Sequence, residues 1–188
     1  MLPTVAIIGA GPLGRWLAMS AARAGFTVLL EDVMPNNLHH AREAIRQQLG
    51  HAALPSVTFT STIEDAVRQA DLVIDCVPDE LESKLEILFL LDRMAPPRAV
   101  LATPSTRLSI TDLANCTYRP EKCISIVIEA KDITGSLAAD AISPSGAPIR
   151  LRTASATSAE TVALLVEFWR RLGFVPSVEA EAAAQPAR

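Results

Sequence analysis

Residues Thr4–Val33 read TVAIIGAGPLGRWLAMSAARAGFTVLLEDV, and the order of residue types within them decides the fold. Val5–Gly9 is a short unbroken apolar run, the mark of a strand buried on both faces. It leads directly into GAGPLG, where Gly9, Gly11 and Gly14 stand in the G-x-G-x-x-G register. A stretch of helical period follows from Pro12 to Ala24, and then a second strand, FTVLLED. Strand, glycine turn, helix and strand in this order predict the opening of a parallel α/β sheet.

Each glycine has a mechanical reason. Gly9 permits the tight turn, Gly11 lets backbone approach a pyrophosphate, and Gly14 lets helix pack against strand. The helix start offers unpaired N–H groups and a positive dipole to an anion. Pro12 suits the first helical position, where its missing donor is not needed, and with Leu13 it completes the loop. Asp32 ends the second strand eighteen residues beyond Gly14, where an acid receives the adenine-ribose hydroxyls. Such an acid selects NAD over NADP, because a 2′-phosphate would meet a negative charge. Glu31 beside it is an alternative, and strand alternation lets one of the two face the site.

The remaining chain repeats the alternation. Met34–Leu49 reads as an amphipathic helix, VTFT as a third strand, and TIEDAVRQA as a helix with Thr62 at its N-cap. DLVIDCVP, RAVLATP and KCISIVIEA follow as strands, separated by helices from about Glu80 to Met94 and from near Ser109. A strand at Ile149–Arg152, a helix over Ser158–Leu172 and FVPSV close the pattern, with SPSGAP as a turn. This is a Rossmann-type, doubly wound, mostly parallel sheet with helices on both faces. Residues 1–178 form one domain, and 179–188 are expected as a disordered tail.

With 49% apolar and 20% charged residues and a net charge of −4, the composition excludes a nucleic-acid stripe. No apolar run reaches the ~20 residues of a membrane span, and the first strand is too short and glycine-broken for a signal peptide. Cys76, Cys116 and Cys123 show no CxxC spacing, so they read as buried thiols of a cytoplasmic protein. No residue is assigned to a metal.

VAIIGAGPLGRWLAMSAARAGFTVLLEDV, the stretch from FTSTIEDAVRQADLVIDCVPDELESK to ATPSTRLSITDLA, and TSAETVALLVEFWRRLGFVP together resemble the NAD-binding domain of the 3-hydroxyacyl-CoA dehydrogenases. The resemblance runs over roughly residues 4–178. It implies NAD as cofactor, oxidation of the 3-hydroxyl of an acyl-CoA, and a place in fatty-acid metabolism. It carries an acid and a lysine that touch the cofactor onto Asp79 and Lys84, and a substrate-bonding hydroxyl onto Thr106. The family's asparagine and second serine in that loop are Pro104 and Arg107 here.

The same resemblance exposes departures. Val127 stands where the family's general-base histidine belongs, and Ala139, beside Asp140, where its glutamate partner belongs. His39 and His40 fall on the adenine side and His51 in a loop beyond. Glu129, Lys131 and Asp132 follow the sixth strand as a charge cluster that could hold a substitute base. The family's helical C-terminal domain, which completes the acyl-CoA pocket and the dimer, has no counterpart before Arg188. The expected function is therefore NAD(H) binding with catalysis impaired in the isolated chain. A dehydrogenase using an altered base or a separate helical subunit is one alternative, a non-catalytic nucleotide sensor or binding module another. Self-association would cover the apolar surface that the helical domain masks elsewhere.

Overall fold

A computed structural model describes residues 2–49, 56–128 and 146–181. Eight strands form one sheet in the order β3-β2-β1-β4-β5-β6-β7-β8. They are β1 (Thr4–Ile8), β2 (Thr27–Glu31), β3 (Val57–Thr60), β4 (Leu72–Asp75), β5 (Val100–Pro104), β6 (Cys123–Val127), β7 (Pro148–Thr153) and β8 (Val175–Ala180). All neighbours run parallel except β6 and β7. The helices are α1 (Pro12–Arg23), α2 (Pro35–Leu49), α3 (Ile63–Val67), α4 (Leu81–Met94), α5 (Ile110–Asn115) and α6 (Ala159–Arg171).

Strand order reverses between β1 and β4, and that reversal opens a crevice at the carboxyl ends of the strands. Alternation along each strand divides the core between the two faces. Val5, Ile7, Leu72 and Ile74 pack under α1 and α6, whereas Ala6, Ile8 and Val73 pack under α3 and α4. On the first face Trp169 meets Phe174 edge-on at 5.1 Å and Trp16 lies 6.3 Å from Trp169. This contact ties α1, which carries the glycine loop, to the far end of the sheet.

Helix starts follow the cap residues. Thr62, Ser109 and Ser158 accept from the backbone N–H groups of Asp65, Asp112 and Thr161, each satisfying one orphan donor. α3 is shorter than TIEDAVRQA suggests and stops at Val67. The last strand is longer than FVPSV: β8 pairs along β7 to Ala180, and Glu181 then caps α5. Its carboxylate accepts from the N–H groups of Ile110 (2.9 Å) and Thr111 (2.8 Å) and from Ser109 Oγ (3.0 Å). The ordered fold thus passes residue 178, because a long-range cap holds a segment whose local composition favours fraying. The first half of SPSGAP (143–145) and the tail from residue 182 lie outside the described residues. Among the described residues no helix is long and apolar enough to cross a membrane.

Candidate functional site

The loop between β1 and α1 is the centre of the crevice. Gly9 has φ +99°, a conformation that L side chains rarely adopt. A Cβ on Gly14 would sit 1.8 Å from the carbonyl oxygen of Gly9, so close packing of α1 on β1 requires glycine there. Gly11 is different. Its backbone is extended (φ −64°, ψ −174°), open to any residue, and a Cβ would meet nothing within 4 Å. Neither strain nor internal packing accounts for glycine at this position, and the space beside it is open.

The first turn of α1 suits an anionic ligand. Gly11 offers no side-chain cap, and no acidic residue occupies the turn, which leaves N–H donors and dipole for an anion. Pro12 is exposed at the groove, while Leu13 turns inward and packs on the core under α1. From the loop a groove of about 640 Å³ runs over the ends of β1 and β2 toward α3 and α4. Its floor is Ile8 and Glu31; Ile63, Ile87 and Leu90 give it an apolar wall.

Asp32 is 8% exposed and lines this groove. Its Oδ2 accepts from Ala10 N–H (2.8 Å) and Asn37 Nδ2 (3.0 Å), and Oδ1 accepts from Met34 N–H (2.8 Å). The carboxylate therefore fastens the glycine loop to the end of β2 as it borders the groove. Glu31 also lines the groove, contrary to the expectation that one acid of the pair turns away. Strand alternation stops applying at Asp32, which follows the last residue of β2 and bends into α2. Asn37 was not foreseen as a partner of Asp32; the signal lay in a short amide on the first turn of the next helix.

At the other end, Thr106 N–H donates to Asp79 Oδ2 (3.3 Å), and Arg107 Nη2 donates to the Asp79 carbonyl (2.9 Å). The β4–α4 turn and the β5–α5 loop are thereby latched together. Asp79 Oδ1 is buried without a partner among the described residues. The Thr106 hydroxyl makes no hydrogen bond among the described residues. Lys84 is placed otherwise than the resemblance implies. It is 0% exposed, and its Nζ lies 2.5 Å from Oδ1 of Asp75, likewise 0% exposed. The groove face of α4 consists of Ser83, Glu86, Ile87 and Leu90, so Lys84 points into the core and anchors the helix.

Val127 ends β6, 7% exposed, opposite Arg150. Glu129, Lys131, Asp132, Ala139 and Asp140 lie outside the described residues, as does His51. His39 and His40 are exposed on α2. Among the described residues no group of three or more His, Cys, Asp or Glu is placed to hold a metal ion.

The space at Gly11 and the uncapped start of α1 suit a dinucleotide lying along the strand ends. Comparison with known proteins gives the same ligand. Residues 4–127 match the family model described as 3-hydroxyacyl-CoA dehydrogenase, NAD binding domain. A probable 3-hydroxybutyryl-CoA dehydrogenase of Bacillus subtilis is 30% identical over 135 residues, 65% of this chain and 47% of that protein. A 5-formyl-3-hydroxy-2-methylpyridine 4-carboxylate 5-dehydrogenase of Mesorhizobium japonicum is 34% identical over 137 residues, 67% of this chain and 44% of the relative. Among solved structures, a 3-hydroxybutyryl-CoA dehydrogenase from Escherichia coli superposes with a TM-score of 0.83 at 27% identity, covering 97% of this chain and 39% of that one. The chain spans about half the length of the curated relatives it matches. The matched model covers more than half of the chain and ends at Val127; the chain belongs to the 3-hydroxyacyl-CoA dehydrogenase family through its NAD-binding domain.

Proposed function

We propose that this domain holds NAD(H) but does not by itself oxidise or reduce a 3-hydroxyacyl-CoA. The observation that carries the reading is Val127, a buried aliphatic side chain at the position where the family's resemblance puts its general base. NAD, when bound, supplies a hydride acceptor; a proton must still leave the hydroxyl, and a valine cannot take it. Loss of a positioned base commonly costs ~10²–10⁴ in rate. Thr106 retains a hydroxyl that could bond a substrate oxygen, but a hydrogen bond alone orients and does not remove the proton. Pro104 and Arg107 replace two polar groups of the same loop, and Arg107 spends its guanidinium on the Asp79 carbonyl.

An acyl-CoA ligand belongs to this proposal, as does the helical polypeptide that would complete its pocket, whether joined to the domain or separate. Self-association through exposed apolar side chains such as Val175 and Val178 on β8 is a further part of it. Three free thiols support placement in the reducing cytoplasm.

A Val127→His chain assayed with NADH and acetoacetyl-CoA tests the reading. Because the histidine would lack both an orienting acid and the rest of the pocket, NADH consumption stays at the level of the unchanged chain. Turnover by the unchanged chain that falls on Thr106→Val would overturn the reading; turnover that appears only with histidine would mean that the base alone is lacking and no further pocket is needed.

A further inference from the structure

Glu31 is the last residue of β2, paired with Ile8 on one side and Thr60 on the other. It is 6% exposed, yet its carboxyl makes no hydrogen bond or ion pair with any described residue. The small surface it keeps belongs to the cofactor groove. The groove's neutral side-chain donors include Asn37 on α2, whose Nδ2 donates to Asp32, and Ser83 on α4, and neither bonds Glu31. The remaining neighbours are largely apolar. β1 brings Ile8, α3 brings Ile63, and the β4–α4 turn brings Cys76, Val77 and Pro78. The titratable groups that share the groove are Asp32, which follows its strand, Glu86 on α4 and the Cys76 thiol, which burial pushes up and keeps neutral. No lysine, arginine or histidine is among the described residues that line it.

A buried carboxyl with no donor, beside the charge of Asp32, is costly as an anion and useful as a neutral acid. In the neutral form it offers one O–H donor and an acceptor. Asp32, by contrast, already takes three donors from its own chain, which limits what it can offer a ligand. We propose that Glu31 is a second recognition group for the adenosine half of NAD(H), acting as a protonated acid, so that cofactor binding is coupled to uptake of a proton. Adenosine supplies both partners required: ring nitrogens and hydroxyl oxygens that accept, and an amino group and hydroxyls that donate. Burial, and then the charge of Asp32, push the Glu31 carboxyl up to about 7, so the coupling acts near neutrality. Ligand bound to the neutral form raises the value further, and affinity is therefore highest on the acid side and falls as pH rises.

This inference rests on the groove being the NAD(H) site. The test is the dissociation constant of NADH, followed by its fluorescence from about pH 6 to about pH 8.5, with calorimetry near pH 7 in two buffers of different ionisation heat. The unchanged chain should lose about tenfold in affinity across the range and take up a proton on binding. Glu31→Gln, which keeps a donor and an acceptor, should bind nearly as well as the unchanged chain at the acid end, with a flat profile and no proton uptake. Glu31→Leu should be flat and weaker throughout. A flat profile in the unchanged chain, or a slope that survives in Glu31→Gln, would overturn the proposal. Absence of NADH binding at every pH would instead overturn the cofactor site itself, and the proposal with it.

Discussion

Gly11→Ala weakens NADH binding by about a hundredfold, roughly 3 kcal/mol, and leaves the fold intact. The two halves of this expectation come from the same geometry. No protein atom lies within 4 Å of the added methyl, and the backbone there is extended, so alanine folds without strain. Losing glycine even trims the entropy of the unfolded chain, worth ~0.4–1 kcal/mol in favour of the native state. The methyl does occupy the space through which a pyrophosphate approaches the start of α1. Gly14→Ala is the contrast: its methyl would overlap the Gly9 carbonyl oxygen, so that change unseats α1. Fluorescence titration with NADH, beside thermal unfolding of both variants, separates the two glycines. Gly11→Ala binding NADH as well as the unchanged chain would mean that the pyrophosphate lies elsewhere.

Lys84→Met destabilises the chain by about 3–5 kcal/mol, the range for stranding one member of a buried ion pair. Both partners are fully buried, and methionine fills the lysine's volume while leaving the Asp75 carboxyl without its cation. Asp75→Leu together with Lys84→Met should recover most of that loss, since two apolar groups leave no charge to compensate. Urea unfolding of the single and double variants measures the coupling. The pair spans the turn that carries Asp79, so the single variant should also bind NADH less tightly, in proportion to its loosened fold. A Lys84→Met chain of unchanged stability but poor NADH affinity would restore the direct cofactor contact that the resemblance implied.

That lysine shows where a sequence informs and where position alone misleads. On α4 two stripes run at helical spacing. Ser83, Glu86, Ile87 and Leu90 face the groove, whereas Lys84, Leu88 and Leu91 face the core. Periodicity therefore placed Lys84 inward, and Asp75 ends the otherwise apolar strand LVID as the partner that a buried cation needs. The cofactor contact that the resemblance implies for Lys84 runs against that spacing. The strands and helices themselves were legible, because apolar runs such as VAIIG and LVID and caps such as Thr62, Ser109 and Ser158 act locally. Glu181 was not legible: its cap on α5 reaches across about seventy residues, and nothing in an alanine-rich tail announces it. The Glu31–Asp32 pair lay between these cases, since period two holds only while the ladder lasts and β2 ends at Glu31.

The most direct measurement is a fluorescence titration of the purified chain with NADH, followed by competition with NAD and with NADPH. The account predicts saturation at one NADH per chain, displacement by NAD, and binding of NADPH at least about tenfold weaker, because its 2′-phosphate meets the acids at the end of β2. No saturable change, or equal binding of NADPH, would contradict it.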